Sequence, residues 1–192
     1  MKKVLFGAVM LIVAICASAQ NYKASFGVNV GSFNGLSYKG FLTDHLVLQV
    51  DLGVNLEGTY GQVDLYTDGG VVGNTHGYQS FYTCEVNPSL LYQSEIKSTD
   101  VASISWFAGG GLNAGFLNKL ELKKSHPTFK WGLHGIGGVE FQLAKVPVTL
   151  SLDFRPGYGM GTHTLKFEDK HATAVNSFFD WKAVVGIRYV FR

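Results

Sequence analysis

The stretch Trp181-Lys182-Ala183-Val184-Val185-Gly186-Ile187-Arg188-Tyr189-Val190-Phe191 sets the period of the chain. Its odd positions are Trp181, Ala183, Val185, Ile187, Tyr189 and Phe191, and its even positions are Lys182, Val184, Gly186, Arg188 and Val190. Successive side chains of a strand point to opposite faces. One face is therefore wholly apolar, and the other holds both charges. Trp181 and Phe191 bracket the apolar face, and the same spacing recurs in Tyr82/Tyr92, Trp106/Phe116 and Trp131/Phe141. An even spacing keeps both aromatics on one side of the sheet. At ~3.3 Å per residue such a frame covers about 33 Å of strand, or roughly 25 Å of height when tilted by about 40°. That is the apolar band of a membrane-spanning barrel edged by aromatic girdles.

Between the frame residues the same face carries Cys84, Val86, Pro88 and Leu90, then Ala108, Gly110, Leu112 and Ala114, then Leu133, Gly135, Gly137 and Val139. None is charged. A water-soluble sheet also alternates, with its apolar face on a core. Nothing in a soluble core calls for large aromatics at both ends and smaller residues between. Pro88 cannot donate to a ladder, so a bulge or a locally broken pair is expected there.

Working outward, eight strands are predicted at about 22–32, 35–42, 46–57, 78–92, 102–117, 130–143, 147–158 and 177–191. The fold class is all-β, an eight-stranded antiparallel up-and-down transmembrane β-barrel. Asn34-Gly35 is a hairpin-turn signal. Thr43-Asp44-His45 and Ala144-Lys145-Val146 are short connections, 93–101 is moderate, and 58–77, 118–129 and 159–176 are expected as long loops. An N-terminus on the periplasmic side puts all three long loops outside the cell.

Composition agrees. The 192 residues include 26 aromatics and 24 glycines, and only 16% are charged. That charged fraction is low for a soluble domain, where roughly 25% is usual, and the aromatic content excludes disorder. A formal charge of +2 excludes a nucleic-acid partner, which needs a basic excess. Lys2 and Lys3, the apolar run from Val4 to Ile15 and the small residues Ala17-Ser18-Ala19 read as a secretory signal peptide over 1–19, cut after Ala19. The barrel then occupies 20–192, with equal numbers of acidic and basic residues. Cys84 is its single cysteine, so no intramolecular disulfide is expected.

Eight strands enclose only enough room for side chains. The lumen parity holds Lys23, Lys39, Asp51, Glu57, Glu85, Glu140, Asp153, Arg155, Lys182 and Arg188. Five acids and five bases make a paired structural network the expectation, because an unpaired buried charge is costly. A gated ion path through the network is the sharper alternative. Glycines 109, 111, 115, 157, 159 and 161 share this face and leave room for long neighbours. Cys84, on the other face, reads as an inert small hydrophobe.

The sequence holds no G-x-S-x-G, H-E-x-x-H, P-loop or paired C-x-x-C. His134 and Glu140 share a face about 20 Å apart, too far for an acid–base pair. His163, His171, Glu168 and Asp169 fall in one loop, and Asp64, Asp68, Gly69 and Gly70 in another. The first set could bind a metal, but a solvated polar loop is the expectation; the second loosely suggests calcium without the spacing of an EF-hand loop. No catalytic residue, cofactor or metal is expected. Lys119, Lys123, Lys124 and Lys130 form a basic loop region that would face lipopolysaccharide phosphates.

The stretches Leu36-Ser37-Tyr38-Lys39-Gly40-Phe41-Leu42-Thr43-Asp44, Gly137-Gly138-Val139-Glu140-Phe141, Leu152-Asp153-Phe154-Arg155-Pro156 and Gly186-Ile187-Arg188-Tyr189-Val190-Phe191 carry a family likeness. The chain resembles the small outer-membrane barrels typified by the transmembrane domain of outer-membrane protein A and by outer-membrane protein X, in the variants common in Bacteroidota. The resemblance implies a monomeric outer-membrane protein of Gram-negative cells, inserted by the barrel-assembly machinery that reads the last strand. It departs in Val184, where a polar residue is usual, and in Arg192 after the final aromatic. It implies no catalytic set. Lipid-A deacylase barrels would need a His-x-Ser pair, and His163 is followed by Thr164 and Leu165.

The expected function is a non-enzymatic barrel with a polar plugged lumen and an envelope-structural, surface-interaction or minor porin-like role. Two alternatives differ in class. A lipid-A- or lipopolysaccharide-modifying barrel enzyme would show a polar triad at the outer rim. A lipocalin-like carrier would place its charges outside and its aromatics in an apolar cavity.

Overall fold

A computed structural model of the chain describes residues 22–67, 70–119, 128–167 and 170–191. The signal-peptide segment lies outside the described residues. Eight strands follow in order: β1 (Ala24–Gly31), β2 (Phe33–Phe41), β3 (Leu46–Thr67), β4 (Gly70–Ser98), β5 (Ala102–Lys119), β6 (Thr128–Leu143), β7 (Val148–Phe167) and β8 (Lys170–Phe191). Each pairs antiparallel with its neighbour, and β1 pairs with β8 from Ala24↔Phe191 to Gly31↔Val184, which closes the barrel. The described residues contain no helix.

The expected order of strands holds, and several boundaries move. The segments 58–77 and 159–176, expected as long loops, are mostly strand: β3 and β4 stay paired to Thr67↔Gly70, and β7 and β8 to Phe167↔Lys170. Similarly, β4 continues to Ser98 where a connection was expected at 93–101. The β1–β2 hairpin, by contrast, is short. Where it ends, β3 and β8 pair directly, from Tyr60↔Phe179 to Tyr66↔Thr173. Beyond the hairpin the wall therefore continues as β4-β3-β8-β7. This pairing supplies a ladder partner to β3 beyond the end of the β1–β2 hairpin.

The first turn also differs from expectation. Asn34-Gly35 lies inside β2, with Gly35 paired to Asn29. The chain reverses at Gly31-Ser32 instead, where Gly31 has φ 138°, a conformation glycine adopts without a Cβ clash. Asn34 fastens the turn, donating to the Gly31 carbonyl at 2.8 Å and accepting from the Gly31 amide at 3.2 Å.

At Pro88 the expectation of a locally broken pair is met. The β4–β5 ladder runs to Val86↔Ala114 and resumes at Ser89↔Gly111 without a register shift. Pro156 interrupts β6–β7 in the same way, between His134↔Gly157 and Gly137↔Phe154. Each proline keeps its partner on the other side, Val50 and Trp181 respectively.

Burial alternates strictly along β8 from Phe179 to Phe191, odd residues exposed and even residues buried. The exposed face carries Leu36, Leu52, Leu90, Leu112, Leu133, Leu152, Val185 and Ile187 across its middle. Aromatic groups lie toward its ends. His45 stacks on Tyr92 at 5.3 Å, and Tyr92 meets Trp106 at 5.7 Å near the short turns. Phe116 meets Phe129 at 5.8 Å toward the other end. Cys84 is exposed on this face, in a shallow apolar notch with Leu52, Val54, Val86, Ala114 and Phe116.

Candidate functional site

Among the described residues, the lumen is where the fold gathers charged side chains out of water. It is layered. At the short-turn end, Tyr22, Phe41, Val47, Leu91, Phe107, Ile136 and Val190 form a buried apolar floor. The expected polar plug did not include this layer. All but Tyr22, which precedes β1, share parity with the lumen charges of their strands, so the alternation that identified the charged face also identified their direction.

Above the floor, Glu140 is the hub of the first charged layer. It accepts from Lys39 Nζ at 2.8 Å, Tyr22 OH at 2.5 Å and Gln93 Nε2 at 3.1 Å, and faces Arg188 at 3.6 Å. Lys39 Nζ also lies 4.5 Å from the centre of the Phe107 ring, which ties the layer to the floor. Arg188 donates to Ser37 at 2.9 Å, Ser151 at 2.8 Å and Asn29 at 3.4 Å.

Arg155 holds the second layer. Its guanidinium spans both oxygens of Asp153, at 2.5 and 3.2 Å, and donates to Asp51 Oδ2 at 2.6 Å. Asp51 also accepts from Asn29 at 3.0 Å and Gln49 at 2.9 Å. A planar fork meeting two carboxylates is what arginine provides and lysine cannot.

The third layer joins Lys182 to Glu85 at 2.6 Å and to Asp180 at 3.3 Å. Lys130 lies 3.4 Å from Asp180 and 3.8 Å from Glu85. Lys130 was expected among the loop lysines that face lipopolysaccharide, and the structure corrects this: it is 1% exposed and points into the lumen. Its parity on β6 is that of His134 and Glu140, and lipid-side placement would leave its charge unpaired in the wall. Asp180 was missed, although it shares parity with Lys182 and Arg188. Lys23, expected in the lumen, is exposed at the barrel end, beyond the reach of the network. The side chains of Glu57 and Lys119 lie outside the described ones, as do Lys123, Lys124, Asp68, Gly69, Glu168 and Asp169 entirely. Among described side chains the lumen still balances: Asp51, Glu85, Glu140, Asp153 and Asp180 against Lys39, Lys130, Arg155, Lys182 and Arg188.

Glycines seat these side chains. A Cβ on Gly157 would lie 2.3 Å from Asp180 Oδ1, one on Gly132 would lie 2.6 Å from Asn113 Oδ1, and one on Gly111 would lie 2.7 Å from Ser89 Oγ. Each polar side chain lies flat over the bare backbone of the next strand.

Chemically, the arrangement can hold charges in fixed pairs. It holds no group of three or more His, Cys, Asp or Glu that could bind a metal, among the described residues. His134 Nε2 meets Ser89 Oγ at 2.8 Å. No carboxylate joins them within the contacts described, so the triad geometry of nucleophilic catalysis is not assembled there.

Closure by the β1–β8 ladder, charges inside and an apolar outer face with aromatic groups toward its ends define the class: an inverted, closed, eight-stranded up-and-down barrel. A lipocalin-like carrier has the opposite polarity and does not fit. No family model and no curated protein matches the chain. Among solved structures, it is similar to the crystal structure of Ail, the attachment invasion locus protein of Yersinia pestis. Identity is 11%, coverage is 86% of this chain and 93% of that chain, and the TM-score is 0.29. The same protein in complex with the heparin analogue sucrose octasulfate gives 11% identity, 86% and 94% coverage and a TM-score of 0.32.

Proposed function

We propose that the chain is an integral outer-membrane protein without catalytic activity. Its lumen is plugged by its own side chains, and its role is envelope-structural or surface-contacting. One observation carries this reading: the inversion of polarity. Arg155 is 2% exposed inside the barrel, while Trp181 outside is 61% exposed. Water disfavours both placements, and a hydrocarbon surround favours the second and requires the first. Export by a cleaved signal peptide, insertion by the barrel-assembly machinery and a monomeric state belong to the same reading. Lipopolysaccharide is its lipid partner. Phosphate contact falls to Lys119, Lys123 and Lys124, because Lys130 is engaged in the lumen. The apolar floor supports a plug over a minor porin-like path.

Membrane fractionation followed by electrophoresis of unheated and heated samples tests the proposal. The protein should remain membrane-integral after carbonate washing and change mobility on heating. Recovery as a soluble periplasmic protein would overturn it. Planar-bilayer recording then separates plug from pore, with no unitary conductance expected.

A further inference from the structure

Pro88 breaks the β4–β5 ladder at one level, and on the described side chains four of the buried polar atoms without protein partners, on Asn87, Asn113 and His134, lie beside that break. Asn87 and Pro88 have no ladder partner on β5, although the register on either side is unchanged. Asn113, which the uninterrupted register would set opposite Asn87, is 2% exposed, and neither its amide nitrogen nor its amide oxygen has a protein hydrogen-bond partner. Asn87, also 2% exposed, donates to Glu85 at 3.1 Å but has no donor for its Oδ1. One row away, His134 reaches across Gly111 to Ser89 with Nε2 and leaves Nδ1 without a partner. The two rows lie two residues apart along the strands, about 7 Å.

We infer that the lumen side of this break is a built site for water, held by Asn87, Asn113 and His134. Buried polar groups in folded proteins are nearly always hydrogen-bonded, and an orphaned one carries its full desolvation cost. Here three neighbouring side chains offer unmet capacity of both kinds. Asn113 supplies a donor and an acceptor, Asn87 an acceptor, and His134 a ring nitrogen whose role depends on its tautomer. Water matches such a mixed set, since it donates twice and accepts twice. An ion does not match, because the nearby charges are spoken for: Lys182 contacts Glu85 at 2.6 Å, and both Lys182 and Lys130 face Asp180. A bound cation or anion would have to displace a paired partner. The inference holds wherever the barrel resides, so it does not depend on the proposed membrane location.

The test uses the full mature chain, refolded in lipid nanodiscs and isotope-labelled for NMR. Water-to-protein cross-relaxation should show resident water at the Asn113 side-chain amide and at the Leu112 and Asn113 backbone amides. Absence of those contacts would overturn the site. The Asn113→Leu variant gives a second readout in the heat-modifiable, folded fraction. A hydrated site loses its water anchor on this change, so Tm should stay the same or fall. A dry site would instead be relieved of an orphaned amide, and a rise in Tm would refute the inference. The Pro88→Val variant restores an amide to the ladder. It leaves the three side chains in place, so the Asn113 side-chain water contact should persist, and its loss would overturn a site held by those side chains.

Discussion

Replacing Arg155 with alanine is the sharpest single test of the lumen network. The guanidinium is 2% exposed, and it is the cation in direct contact with Asp153 at 2.5 Å and Asp51 at 2.6 Å. Arg155→Ala leaves two carboxylates facing each other across the space it vacates. Breaking a buried ion pair from one side costs about 3–5 kcal/mol. At about 1.4 kcal/mol per tenfold, that is a loss of roughly 10²- to 10⁴-fold in the folded-to-unfolded ratio. Removing all three charges together, as Asp51→Asn, Asp153→Asn and Arg155→Met, leaves no carboxylate facing another in this layer. That triple variant should recover most of the loss. Urea titration in phospholipid vesicles, followed by tryptophan fluorescence and by unheated gel mobility, measures both. The single-variant loss should also be insensitive to added salt, because the layer is shielded from the bulk. A single-variant loss below about 1 kcal/mol, the range of exposed pairs, would show that solvent reaches the layer, and the picture of a dry paired plug would fail.

Four further outcomes follow from other regions of the structure. Gly157→Ala should destabilise by about 1–3 kcal/mol through overpacking, since its Cβ would meet Asp180 Oδ1 at 2.3 Å, whereas Gly137→Ala, with nothing nearer than 4.0 Å, should leave the urea midpoint unchanged. Phe107→Ala removes a floor side chain that is 1% exposed and the ring beneath Lys39; it should cost about 3–5 kcal/mol and produce leak events in planar bilayers, and a silent, fully stable variant would count against the floor as the seal. Cys84 should react with a lipid-soluble maleimide and resist a charged one in intact membranes; equal labelling by both would put it in water. Lys130→Gln should lower stability without changing retention on lipopolysaccharide, while joint replacement of Lys119, Lys123 and Lys124 by glutamine should weaken retention at low salt; the reverse pattern would return Lys130 to the loop.

The architecture was legible because alternation has one cause along the membrane-level wall. In the proposed membrane setting lipid rejects charge on one face and the lumen demands pairing on the other, so parity alone sorted Lys39, Asp51, Glu85, Glu140, Asp153, Arg155, Lys182 and Arg188 into the interior. Parity would also have sorted Lys130 and Asp180 there. Lys130 is the first residue of its strand as first read, where a charge suggests a loop, and Asp180 falls just outside the Trp181–Phe191 frame that set the parity. The Asn34-Gly35 signal misled because turn propensity is local, whereas the position of the turn is fixed by the β1–β8 register and by Asn34 bonding back to Gly31. The apolar floor escaped notice for a different reason. Val47, Leu91 and Val190 are ordinary strand residues singly, and only closure brings them to one level. The strand beyond Glu57 was hidden because Gly58, Gly61, Asp68, Gly69, Gly70 and Gly73 read locally as loop residues.

Those long strands also decide how the protein bears load. From Gly70 to Phe81 the β4 backbone runs about 36 Å past the start of its ladder with β5. Ladder hydrogen bonds lie across the strand direction. A pull on the β3–β4 or β7–β8 tip along the strands therefore loads in shear the ladders that join the hairpin to its neighbours, with the bonds along those ladders sharing the force. The short β1–β2 hairpin ends below those tips and is spared. A tether gripping either tip would meet a stiff mast anchored through the wall, and the weak direction would be sideways, where the bonds break in succession.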